Sequence, residues 1–175
     1  MPPIVNDAAL DTLFRSVRDQ HAWLDRPVSE TILRAVWELA RHAPMSGFAP
    51  PARIVFIQSQ TARAHLEPAV PIEARSRVMT APVAVILGRA LARERAMDAL
   101  HEAGIKAAGL MLAARALGLD CSPVWHFDGQ LLDAAFFPDG QFAANFLCAI
   151  GYGDETQERA TIERVCDADD ICRIA

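Results

Sequence analysis

Ala43-Pro44-Met45-Ser46-Gly47-Phe48-Ala49-Pro50-Pro51-Ala52-Arg53-Ile54-Val55-Phe56 is the stretch on which the fold turns. A helix rich in Trp and Leu runs into Pro44, which lacks an amide hydrogen and cannot continue it. A loop follows with Ser46 and Gly47, and Pro50-Pro51 launches the β-branched run Ile54-Val55-Phe56-Ile57. Three prolines within residues 44–51 fix several φ angles and restrict the residues before them. The result is a stiff helix-to-strand loop. Loops of this kind either simply connect or hold backbone groups against a ligand at the mouth of a sheet.

Working outward, Leu10, Leu13, Phe14 and Val17 recur at helical spacing and predict an amphipathic first helix. Ser29 is placed to cap a second helix with Ile32, Val36 and Leu39 facing inward. Arg53 to Gln58 reads as a buried strand, 60–67 as a short helix, and Pro82 to Leu87 as a second buried strand. From about Ala90 to Leu117 the pattern is helical, with Gly104, Ala108 and Leu112 on one stripe and Gly109 with Ala113 on another. A helix-interior glycine costs about 1 kcal/mol against alanine, so two of them point to close approach by another helix, of this subunit or a second one. Asp128 caps a helix at 129–136, and Asn145 to Ile150 forms a third strand ended by Gly151-Tyr152-Gly153. Helices that outnumber and flank an apolar sheet make an α/β or α+β layered domain.

With 175 residues and no linker or repeat, one domain spanning 1–175 is expected. A chain of that size buries roughly 70% of its unfolded surface and needs no disulfide or metal to hold a core. Its net charge of −5 disfavours broad nucleic-acid binding, which works by neutralising phosphates. Arg75, Arg77, Arg89, Arg93 and Arg95 form the only basic cluster, diluted by Glu73, Glu94 and Asp98, and read as a solvated face. Cys121, Cys148, Cys166 and Cys172 contain no Cys-x-x-Cys pair and fit reduced thiols. The N-terminus lacks the basic and apolar regions of a signal peptide, and no run of 18 apolar residues occurs, so a cytoplasmic protein is expected.

The helix-Pro-x-Ser-x4-Pro-x-x-strand pattern of residues 44–56 resembles the first flavin loop of the nitroreductase family. Further matches follow in the same order. Leu13-Phe14, Arg18, Trp23 and Pro27-Val28-Ser29 lie upstream. Downstream are Thr80-Ala81-Pro82-Val83, Ala114-Arg115-Ala116-Leu117-Gly118-Leu119-Asp120, Pro123, Phe127-Asp128 and Ile150-Gly151-Tyr152-Gly153. The branch that includes malonic semialdehyde reductase is the most similar, and 89–98 resembles a shortened remnant of a longer family segment. The resemblance implies an α+β fold with a central, mostly antiparallel sheet flanked by helices, and an intertwined homodimer. Residues 154–175 would be a C-terminal extension packed on the partner subunit.

It also implies FMN as cofactor and an NAD(P)H-driven oxidoreductase whose acceptor is a small nitro, quinone, enone or aldehyde compound. Flavin carries the hydride chemistry, so no protein acid or base is required. Arg18 matches the family's phosphate arginine, a role suited to a guanidinium with forked donors. The neighbouring contacts fall on Asp19 and Gln20. Gln20 can donate, whereas Asp19 must turn away, because two like charges near 4 Å cost about 4 kcal/mol at an effective dielectric of 20. Pro44 and Ser46 match the ring-contacting loop, and Pro123, Trp125 and His126 match the loop that meets flavin N5. Arg159 and Arg164 match the tail residues that grip phosphate, with spacing one residue off.

Several customary contacts are replaced. Phe48 and Ala74 stand where the family has asparagines, and Trp125-His126 stands where it prefers a small residue and glycine. An aromatic at 125 either stacks on a flavin or fills its place, and both readings stay open. A second hypothesis follows: a flavin-free homodimer that uses the cleft to bind another small molecule without redox chemistry. Other chemistry is thinly supported. There is no Gly-x-Ser-x-Gly elbow, His-Glu-x-x-His, phosphate loop or Gly-x-Gly-x-x-Gly, and the histidines lack ligand spacing.

Overall fold

The computed structural model describes residues 4–16, 20–42, 52–91 and 96–156. In chain order the elements are α1 (Asp7–Leu10, continued by a π-helical turn Asp11–Arg15), α2 (Glu30–Ala40), β1 (Ala52–Ile57), α3 (Gln60–Leu66), α4 (Ile72–Thr80), β2 (Val83–Ala90), α5 (Ala96–Ala116), β3 (Asp120–Val124), α6 (Gly129–Phe136) and β4 (Phe142–Gly151). The four strands lie in the order β1-β2-β4-β3, and each neighbouring pair is antiparallel.

The sheet has helices on both faces. Val83, Val85 and Leu87 of β2, with Phe146, Cys148 and Ile150 of β4, pack under α2 and α5. Ala84 and Ile86, with Leu147 and Ala149, face the other way, toward the buried residues of α3, α4 and α6. Alternate side chains of one strand thus enter two different cores, which is why β2 reads as an unbroken apolar run. This is the α+β architecture expected from the sequence.

Ser29, Ser59 and Asp128 cap α2, α3 and α6, each accepting a hydrogen bond from a first-turn amide. The inward face of α2 is Leu33, Val36 and Ala40, with Ile32 partly buried beside them, whereas Leu39 is 48% exposed. The periodicity located the face correctly but set it one position off at its C-terminal end. β1 is half-buried rather than buried, and among the described residues it is a sheet edge that pairs with β2 alone. α5 begins later than the helical pattern indicates, because Arg89 and Ala90 still belong to β2.

Two elements escape sequence reading. β3 occupies residues expected to be loop; Pro123 gives no ladder hydrogen bond, and prolines in sheets are confined to edges such as this one. α4 hides within the arginine cluster, burying only Ala74 and Val78. Its arginines are not a solvated face: Arg75 donates to the Val70 carbonyl and Arg77 to that of Pro123.

The end of β4 is closely packed. A Cβ on Gly151 would fall 2.5 Å from Pro82 Cδ and 2.9 Å from Trp23 Cε3, both on rigid rings. Gly151→Ala is therefore expected to destabilise the fold by about 2 kcal/mol, read as a lower urea midpoint at unchanged slope. An unaltered midpoint would contradict this packing.

Candidate cofactor site

Three chain segments meet where β3 begins and β4 ends. Residues 20–24 form a strap along the end of β4: Trp23 bridges Gly153, the Leu24 amide donates to Tyr152 O at 2.8 Å, and the Asp154 amide donates to Ala22 O at 3.0 Å. Gln20 is only 2% exposed, and its side-chain amide donates to Ala22 O at 2.5 Å and to Asp154 O at 3.5 Å. Gly153 leaves room for this arrangement; a Cβ there would meet Gln20 Cδ at 2.6 Å and Asp120 Oδ2 at 2.5 Å. The Gly153 amide donates to that same Asp120 oxygen at 3.1 Å.

Arg115, near the end of α5, draws the N-terminal segment to the same corner. Its Nε donates to Thr12 O at 2.9 Å, and its Nη1 lies 3.8 Å from Asp120 Oδ1. Thr12 is thereby tied to α5, and Gln20 to the end of β4. Arg18 itself lies outside the described residues, as do Asp19, Pro44, Ser46, Phe48, Arg159 and Arg164.

On the other side, the turn after β3 is held at both ends. Val124 pairs with Leu147, and Pro123 O accepts from Arg77 Nη2 at 3.3 Å. The Asp128 amide donates to Ala69 O at 2.9 Å, while the Asp128 carboxylate caps α6. Between these anchors, Trp125 is 67% exposed, and His126 has φ +61°. That left-handed conformation is one glycine adopts freely and other residues adopt uncommonly. Pro123 is anchored just ahead of the turn, and Trp125 and His126 are both exposed.

Ala74 is buried in the core beneath α4, so it presents nothing to a ligand. A separate concavity of about 520 Å³ lies between α2 and β1, lined by Leu33, Trp37, Ile54 and Phe56 together with Glu30, Arg34 and Arg53. Among the described residues, Gln20, Pro123, Trp125 and His126 do not line it. Among the described residues, no cluster of three His, Cys, Asp or Glu is placed to hold a metal, and no helix is long and apolar enough to cross a membrane. Sequence reasoning missed Arg77 and the bonding role of Trp23, whose indole Nε1 donates to Arg77 O at 2.7 Å. No spacing rule marks either, since their partners are backbone carbonyls distant in sequence.

No family model matches the sequence. A Burkholderia lata protein named "Putative NADH dehydrogenase/NAD(P)H nitroreductase" is 39% identical over 97% of this chain and 98% of its own. Among solved structures, an FMN-dependent nitroreductase from Clostridium difficile superposes with a TM-score of 0.77 at 17% identity, covering 94% of this chain and 98% of that one. A protein from Exiguobacterium sibiricum in complex with FMN gives a TM-score of 0.80 at 17% identity, over 100% of both chains. The structural likeness shows the shared fold, and the sequence identity along nearly the whole length goes further: this chain is an oxidoreductase of the nitroreductase family.

Proposed function

We propose that the protein is an FMN-dependent homodimer that takes reducing equivalents from NAD(P)H and passes them to a small organic acceptor carrying a nitro, quinone, enone or aldehyde group. The observation that carries this reading is the doubly anchored turn at 125–126, open to solvent and left-handed at the position where the family prefers glycine. FMN, when bound, supplies the hydride chemistry. The chain's own part is to hold, orient and shield.

Gln20 and Asp154 touch, and Arg18 precedes the first by two residues while Arg159 follows the second by five. Five extended residues span roughly 17 Å, which is ample for two guanidinium groups to converge on one phosphate. Gln20 then serves the clamp by holding its strap in place. Pro44 and Ser46 would approach the ring, and Arg164 would reinforce the tail side. The NAD(P)H assignment is supported by the name of the Burkholderia lata relative. The affinity to the malonic semialdehyde reductase branch leaves the acceptor undefined, because the shortened 89–98 segment would line the acceptor side.

Dimerisation is supported by α5. Met97, Leu100 and Ile105 are exposed along it, and a Cβ at Gly104 would meet nothing within 4 Å in its own subunit. Close approach of a second helix would use that empty glycine surface. The partner's residues 154–175 are proposed to cover the groove between α2 and the unpaired edge of β1.

Titration of the purified protein with FMN, followed by flavin fluorescence, is expected to give a yellow complex with a Kd of about 1 µM or below. NADH or NADPH should then bleach it anaerobically, and light scattering should give the mass of two chains. Colourless protein that takes up no FMN would overturn the enzyme reading. That outcome would favour the flavin-free binding homodimer, for which the burial of Ala74 and the replacement of Asn by Phe48 are the supporting observations.

A further inference from the structure

We infer that Arg77 is the positioning residue for the Trp125–His126 turn, and that Trp23 couples it to the strap bearing Gln20. Pro123 lies in edge strand β3, and its carbonyl turns away from β4 toward α4, two residues ahead of the Trp125–His126 turn. Arg77 fastens that free side of the strand by donating from Nη2 to Pro123 O at 3.3 Å. Trp23 Nε1 in turn donates to Arg77 O at 2.7 Å, and the Trp23 backbone bridges Gly153. The indole is wedged where a Cβ on Gly151 would come within 2.9 Å of it.

A continuous chain of contacts therefore runs from Gln20 and Asp154, through Trp23 and α4, to the turn. Its two ends are the proposed phosphate side and the proposed N5 side of one cofactor site. The structure needs such a link because His126 sits at φ +61°, a conformation that persists in a non-glycine residue only when its surroundings hold it. The assignment of the turn to flavin N5 rests on the function proposed above; the restraint of the turn by Arg77 does not.

The test uses full-length protein labelled with 5-fluorotryptophan. Three tryptophans, Trp23, Trp37 and Trp125, give three fluorine resonances, and Trp125→Phe identifies the third. In Arg77→Met the Trp125 resonance is expected to shift or split into slowly exchanging forms, while that of Trp37 stays in place as evidence of an intact fold. Arg77→Lys keeps a charged donor and should partly restore the native signal. In the FMN-loaded protein, the same change should slow reduction by NAD(P)H roughly tenfold or more, as misplacement near a reacting centre does. FMN affinity should meanwhile change less than about threefold, because the phosphate grip is untouched. An unmoved Trp125 resonance in both variants overturns the inference. Failure of the wild type to bind FMN would instead overturn the proposed function and leave the fluorine result to decide the role of Arg77.

Discussion

Replacing Arg63 by methionine is expected to lower the unfolding free energy by about 3 kcal/mol, one of the larger single-residue effects available in this fold. Arg63 projects from α3 and is only 6% exposed. Its Nη2 donates to Ala81 O at 2.5 Å, its Nη1 to Met79 O at 3.2 Å and Val78 O at 3.4 Å, and its Nε to Gln58 O at 3.4 Å. The last carbonyls of a helix have no partners within it, and here one guanidinium serves the end of α4 and the entry to β2 together. Burial pulls the guanidinium below its ordinary value, yet an arginine remains charged at any working pH. Methionine preserves most of the volume and none of the donors, so it strands several carbonyls away from water. A protein of this length should lose roughly 10 °C of melting temperature. A chemical-denaturation midpoint indistinguishable from wild type would show that water or a local shift satisfies those carbonyls instead.

Arg18→Ala is expected to weaken FMN binding roughly 10- to 100-fold, the range set by a charge-assisted hydrogen bond worth about 1.5–3 kcal/mol. Stability without FMN should change little, because Gln20, Trp23 and Leu24 tie the strap down. Arg18→Lys should recover part of the affinity, since a point charge replaces a forked donor. Calorimetric titration with FMN and with riboflavin separates the contributions. If the clamp acts on phosphate, the substitution should leave riboflavin affinity unaltered. Equal FMN affinity in the alanine variant and the wild type would remove Arg18 from the site.

The candidate site was marked in the sequence through family-matched positions rather than through any self-sufficient motif. Arg18, Ser46, Pro123 and the Trp125–His126 pair were marked by the resemblance to the nitroreductase family, and their roles toward FMN belong to the proposed function. Gln20 was singled out as a ligand donor, and its amide is spent inside the subunit on Ala22 and Asp154. Arg77 could not be found in this way. In sequence it is one arginine among five and reads as solvated, and only the fold brings it against Pro123, 46 positions away.

The amino-acid order alone determined the helices capped by Ser29 and Asp128 and the doubly buried strand β2, because the amide hydrogen bonds those side chains accept and the apolar run of β2 are local in origin. Tertiary structure decided the rest. β3 is a strand because β4 accepts it as an edge partner despite Pro123, and α4 is a helix whose end is completed by Arg63 from a different element. In both cases the stabilising hydrogen bonds join residues remote along the chain, and such bonds leave no periodic signature in the sequence of either partner.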